Sequence, residues 1–142
     1  MENKFSRGVE IVVGIIIENS DGKILLTKSP KWRDKWVIPG GHIEPGEKIE
    51  DAGLREAKEE VGMDLKSSGI ISCGEIIDSQ DFHRPAHFVY FDILCKTENT
   101  EVKIDDDEIR EYKWVLPEEA LKMDLGSGAR AAIKDYLKTL EN

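Results

Sequence analysis

The chain's 142 residues match the length of one ordinary domain and are enough for a sizeable core. A composition that is 39% hydrophobic and 35% charged suits a globular protein and excludes a disordered or fibrous one. The formal net charge of −9 excludes general nucleic-acid binding, which needs a basic surface to displace counterions, but leaves room for a small phosphorylated substrate beside a divalent cation.

The chain starts Met1-Glu2-Asn3-Lys4, without a basic-then-apolar signal pattern, and its longest apolar run, residues 11–17, is far too short to span a bilayer. A cytoplasmic location with no membrane partner is therefore expected. Residues 9–17 are apolar and β-branched and read as a buried strand. Asn19-Ser20-Asp21-Gly22 is turn chemistry, and residues 23–28 return as a second strand. Residues 30–35 form a loop and 36–38 a short strand, which Pro39-Gly40-Gly41 stops. Residues 48–61 read as a helix, with acidic residues in the first turn, no proline, and Gly62 just past the end. Residues 70–77 and 88–95 are strand-like, 105–108 an acidic loop, and 111–115 a short strand. A helix is expected over 117–123, with Pro117 in its first turn, and another over 129–140, with Ile133, Tyr136, Leu137 and Leu140 on one side. Cys73 and Cys95 have no metal spacing and are expected as reduced core residues. No linker or repeat divides the chain, so residues 1–142 read as one domain. Its strands and three helices imply an α/β fold, with a sheet covered on both faces as an α/β/α sandwich.

The segment that carries chemistry runs from Gly41 to Met63. At about 100° per residue, Leu54, Ala57 and Val61 share one narrow arc of the helix. Glu56, Glu59 and Glu60 share another, nearly opposite, so the first arc is expected to face the core and the second to face outward as three clustered carboxylates. Two such anions about 5 Å apart in a partly enclosed cleft repel by roughly 3 kcal/mol at an effective dielectric of ~20. A hard divalent cation removes that cost, and magnesium or manganese suits oxygen donors. A glutamate-rich face alone would read as solvated. Here it follows a turn in which Gly40, Gly41 and Gly46 permit close backbone approach to a ligand, and it stands next to a helix start.

This segment resembles the Nudix box at each defining position: Gly41, Glu47, Arg55, Glu56, Glu59, Glu60 and Gly62, with Ala57 and Met63 at the apolar positions. The resemblance implies a Nudix-type sandwich with a mixed central sheet. It implies Glu59 and Glu60 as principal metal ligands, Glu56 as a further ligand or the base that activates water, and the Gly41 carbonyl as another ligand. Arg55 would orient Glu47 through a bidentate salt bridge. The implied cofactor is Mg2+, with Mn2+ as the alternative. The implied reaction is attack of water on a phosphorus of a nucleoside diphosphate linked to another group.

Weaker signals surround the box. Lys28, Trp32, Arg33 and Lys35 precede the Pro39-Gly40-Gly41 turn and are candidates for phosphate or base contact, Trp32 for stacking; Trp36 is assigned to the core. His83 and Arg84 could border the substrate and the 105–108 loop could add a metal ligand, but the expectation for each is a solvated loop. The tract from Glu101 to Glu119 loosely resembles the MutT-like, nucleoside-triphosphatase group. A nucleoside triphosphate, split to a monophosphate and pyrophosphate, is therefore the favoured small-molecule substrate. Nucleotide sugars, ADP-ribose, dinucleotides and a non-catalytic ligand-sensing role are the alternatives, and a homodimer is left open.

Overall fold

Alternation along a single strand sets up the two faces of the molecule. In the computed structural model, which describes residues 3–141, β1 (Val9–Glu18) turns Val13, Ile15 and Ile17 to one side and Ile16 to the other. The Met1-Glu2 start lies outside the described residues. β2 (Ile24–Ser29) repeats the division, with Leu25 on the first side and Ile24 and Leu26 on the second. Side chains two apart on a strand share a face, so both strands are buried twice over. Helix α1 (Ile49–Val61) covers the first side with Ala52, Ala57 and Val61. Helix α3 (Ser127–Thr139) covers the second with Ala129, Ala132, Ile133 and Tyr136. The expected α/β/α sandwich is present.

The sheet is mixed. β1 runs parallel to β6 (His87–Lys96) from Val9↔His87 to Glu18↔Lys96, and β5 (Ser67–Ile77) pairs antiparallel with β6 at the edge. The other edge of β1 is shared. β4 (Gly40–His42) takes positions 12–14, while β2 reaches β1 at Glu18↔Ile24. β3 (Lys35–Val37) and β7 (Glu111–Val115) then pair with β2. The sheet therefore splits at β1 into two branches, and the cavity described below is lined from both.

Several local expectations differ from what is observed. Gly40 and Gly41, read as a stop, form a short strand with His42. The 30–35 loop contains a 3-10 turn, Pro30–Trp32. Helix α2 (Pro117–Ala120) begins on its proline as expected but ends before Met123. The Arg130 guanidinium donates to the carbonyls of Leu121 and Met123 there, so side-chain bonds replace helical ones. Leu140 lies past the end of α3 and is exposed. Cys95 is buried, but Cys73 is exposed, because it sits on the edge strand β5. Among the described residues no helix is long and apolar enough to cross a membrane.

Candidate active site

α1 begins after an extended Lys48, carries Glu50 and Asp51 in its first turn, and ends at Gly62, whose left-handed backbone (φ 68°) lets its N–H return to the Lys58 carbonyl. The three glutamates expected together on the outward arc separate. Glu59 points to solvent, with 56% of its side chain exposed, whereas Glu56 retains 13%. Glu60 is buried, contrary to the outward orientation expected of it. Helical periodicity places a residue on an arc but does not say what lies against that arc. Here β4 does: the Gly40 N–H donates to Glu60 Oε2 at 2.8 Å. One position on, a Cβ at Gly41 would stand 2.4 Å from the Glu56 carboxyl carbon. Only glycine allows β4 to lie so close to this carboxylate.

Arg55 ties the loop before the helix to the helix itself. Its Nε and Nη2 donate to the two Glu47 oxygens at 2.7 and 3.0 Å, the two-pronged arrangement expected from the sequence. Nη2 also donates to the His42 carbonyl at 3.0 Å, and Nη1 to Glu56 at 2.9 Å and Glu59 at 3.2 Å. The bond from Arg55 is the main cause holding the Glu47 carboxyl below the usual range.

The remaining charge is poorly compensated. Desolvation pushes the Glu56 carboxyl up against the opposing pull of Arg55, and Glu59 and Glu108 add repulsion. Glu60 is pushed well up by burial and by Glu56, and the Gly40 N–H offsets only part of this. Glu108 comes from the 105–108 loop, expected to be solvated. The loop is drawn in because the N–H groups of Lys103 and Asp105 donate to the Val61 and Glu60 carbonyls, which lack helical partners at the end of α1. Among the described residues no three metal-binding side chains already converge on one point, and Arg55 Nη1 bridges Glu56 and Glu59. The donor set is nonetheless all hard oxygen, with Glu56 and Glu60 desolvated and Arg55 the one cation bonded to it among the described residues, which fits a divalent cation.

A cavity of about 560 Å³ opens beside these carboxylates, within the range for a small-molecule site. Trp32, Phe82 and Phe88 form an aromatic wall, with ring centroids 4.6 Å apart for Trp32–Phe82 and 5.0 Å for Phe82–Phe88. Of the expected nucleotide contacts, Trp32 lines the cavity and Lys28, Arg33 and Lys35 do not, Lys35 pairing with Asp124 instead. Thr27 and Ser29 face inward, so Lys28 between them faces out, over the Trp36 ring and toward Glu111. Arg33 is directed by a left-handed backbone to the Gln80 carbonyl, and Lys31 reaches the cavity instead. Trp36 packs against the core, half-buried. His83 and Arg84, expected to be solvated, line the cavity. Arg84 donates to both oxygens of buried Glu10, which also bonds His42 Nε2 at 2.7 Å. The Arg84 bond, the largest of several causes, holds the Glu10 carboxyl down at about 2. Glu10 and Asp92 escape sequence reasoning, although each left a signal as the one acidic residue within an otherwise apolar strand segment.

The family model described as NUDIX domain matches residues 9–136. The nucleoside triphosphatase NudI of Escherichia coli strain K12 is 33% identical over 133 residues, covering 87% of this chain and 93% of that one. Among solved structures, the MutT protein from Methanosarcina mazei Go1 superimposes with a TM-score of 0.82 at 22% identity, covering 100% of both chains. The MutT NUDIX hydrolase from Burkholderia pseudomallei gives 0.77 at 25% identity, covering 89% of this chain and 97% of the other.

Proposed function

The chain belongs to the Nudix family of hydrolases, and from that premise we propose that it is a pyrophosphohydrolase of nucleoside triphosphates, giving a nucleoside monophosphate and pyrophosphate. The observation that carries this reading is the pair Glu56 and Glu60, desolvated against Gly41 and Gly40 at one end of a cavity whose far wall is aromatic. Likeness to a relative named as a nucleoside triphosphatase supports the choice of substrate. Residues 1–142 act as one catalytic domain.

In this proposal Glu59 and Glu60, with the Gly41 backbone, would hold magnesium, or manganese in its place. When bound, such an ion neutralises phosphate charge and makes a coordinated water more acidic. Glu56, largely enclosed, accepts the proton of the attacking water. That water adds to one phosphorus, the anhydride oxygen leaves on the neighbouring phosphate, and the bond between them breaks. Arg55 keeps Glu47 and the loop to His42 fixed on the helix. Lys31 offers positive charge at the cavity, and Trp32 offers a face for the base. The test is a panel of nucleoside triphosphates, nucleotide sugars, ADP-ribose and dinucleotides assayed with magnesium, with products identified. Triphosphates turning over fastest, to monophosphate and pyrophosphate, is the expected result. Another class turning over faster reassigns the substrate, and tight binding without turnover of any of them points to a ligand-sensing module.

A further inference from the structure

The cavity continues past the carboxylates onto the α3 side of the sheet, and its floor holds an acidic group that the hydrolysis does not use. Asp92, on β6, lines the cavity and is 3% exposed. Its Oδ2 accepts from Ser72 Oγ at 2.9 Å, and among the described residues its Oδ1 has no hydrogen-bond partner. The titratable groups that act on it, Asp135 from α3 and Tyr90 from its own strand, supply no positive charge. Gly14 lets β1 and Ile38 pack close against this carboxyl: a Cβ there would stand 2.6 Å from Oδ1 and 2.8 Å from Ile38 Cδ1, so only the cavity side of Oδ1 is left for a partner. A buried carboxyl with one oxygen satisfied and the other facing an open cavity is costly, unless a ligand completes it.

The strands show which part of a nucleotide would reach it. Asp92 is in register with Gly14, and Gly14 with Gly40. At about 4.8 Å per strand, Asp92 lies roughly 10 Å across the sheet from the Gly40–Gly41 segment against which Glu60 and Glu56 pack. A nucleoside spans that separation, so phosphate at the glutamates leaves a base within reach of Asp92.

Building on the nucleotide-hydrolase reading above, we propose that Asp92 selects the base, its free oxygen accepting a hydrogen bond from an exocyclic amino group. Bases with an amino group at that position are preferred over those with a carbonyl: cytosine over uracil, or adenine over hypoxanthine. A carbonyl there would face a carboxylate oxygen with no hydrogen between them, and a site built on a hydrogen bond discriminates strongly against a ligand that cannot make it. Burial pushes the Asp92 carboxyl up to about 7, so pH 8 is the condition under which the accepting, ionised form prevails.

The test measures binding of CMP, UMP, AMP and IMP by calorimetry at pH 8, and kcat/KM for the matching triphosphates with magnesium. The wild type is expected to prefer the amino member of at least one pair by tenfold or more. Asp92→Asn, with its amide nitrogen free to donate, is expected to erase or invert that ratio. A wild-type ratio below twofold in both pairs overturns the proposal without reference to any variant. So does a folded Asp92→Asn protein that keeps the wild-type ratio. If no nucleotide is hydrolysed but the monophosphate ratio still inverts in the variant, the hydrolase reading fails while the role of Asp92 stands.

Discussion

Replacing Arg55 with lysine retains the charge and removes the geometry, which makes Arg55→Lys a direct test of how the site is held. Arg55 donates five hydrogen bonds from three nitrogens: two to Glu47 and one each to the His42 carbonyl, Glu56 and Glu59. A lysine has a single nitrogen and no planar fork, so it can satisfy Glu47 or the His42 carbonyl but cannot clamp both. The bond to Glu59 is largely exposed and contributes about 0–1 kcal/mol. The Glu47 and His42 bonds are more enclosed, since three quarters of the Arg55 side chain is covered. Charge-assisted bonds there contribute about 1.5–3 kcal/mol each, so losing one prong and the carbonyl bond, partly offset by water, removes roughly 2–3 kcal/mol of loop order. Felt in the transition state, that is a 30- to 150-fold fall in turnover, at about 1.4 kcal/mol per factor of ten. The assay is kcat at saturating magnesium and substrate, with circular dichroism to show that the fold is intact. A folded Arg55→Lys enzyme within about threefold of the wild-type rate would refute the orienting role and reduce Arg55 to a surface charge.

Four further outcomes are expected. Excess chelator abolishes turnover and added magnesium restores it; activity that persists in chelator removes the metal from the reaction. Glu60→Gln lowers turnover yet raises the thermal midpoint of the metal-free protein, because glutamine keeps an acceptor for the Gly40 N–H and removes a carboxyl whose ionisation burial opposes; a lowered midpoint contradicts this account. Glu59→Gln, on an exposed side chain, changes turnover without shifting that midpoint, and wild-type turnover in both glutamine variants counts against the ligand assignment. Glu10, held at about 2 against an ordinary 4.5, contributes stability that is fully present above its unfolded pKa and is lost as pH falls from about 4.5 through 2. Glu10→Gln should therefore cost about 3 kcal/mol at pH 7, as read by urea unfolding, and flatten the acid limb of the stability curve between pH 4.5 and 2.

The amino-acid sequence alone determined most of the elements and the grouping of the carboxylates in the candidate site. The β-branched run of β1, the capped helix α1 and the Pro117 start of α2 are local features, governed by contacts within a few residues, and they appear where the residue pattern puts them. The spacing of Glu47, Arg55, Glu56, Glu59 and Glu60 is equally local, and so is the Arg55–Glu47 pair, eight residues apart. Tertiary structure decided what lies against each of these. Periodicity put Glu60 on the outward arc, but β4 covers that arc, and a strand paired with positions 12–14 cannot be located from helical spacing. Lys28 and Lys31 are similar charges in one segment, and only the pleat of β2 and the turn after it decide that Lys31 meets the cavity. Glu108 reaches the carboxylates because the distant end of α1 has carbonyls to satisfy. Asp92 and Glu10 gain their surroundings from strands and loops far off in the chain. Burial, and with it the affinity of a carboxylate for protons, cations or a ligand's N–H, depends on neighbours brought from elsewhere in the sequence, and those neighbours exist only once the chain has folded.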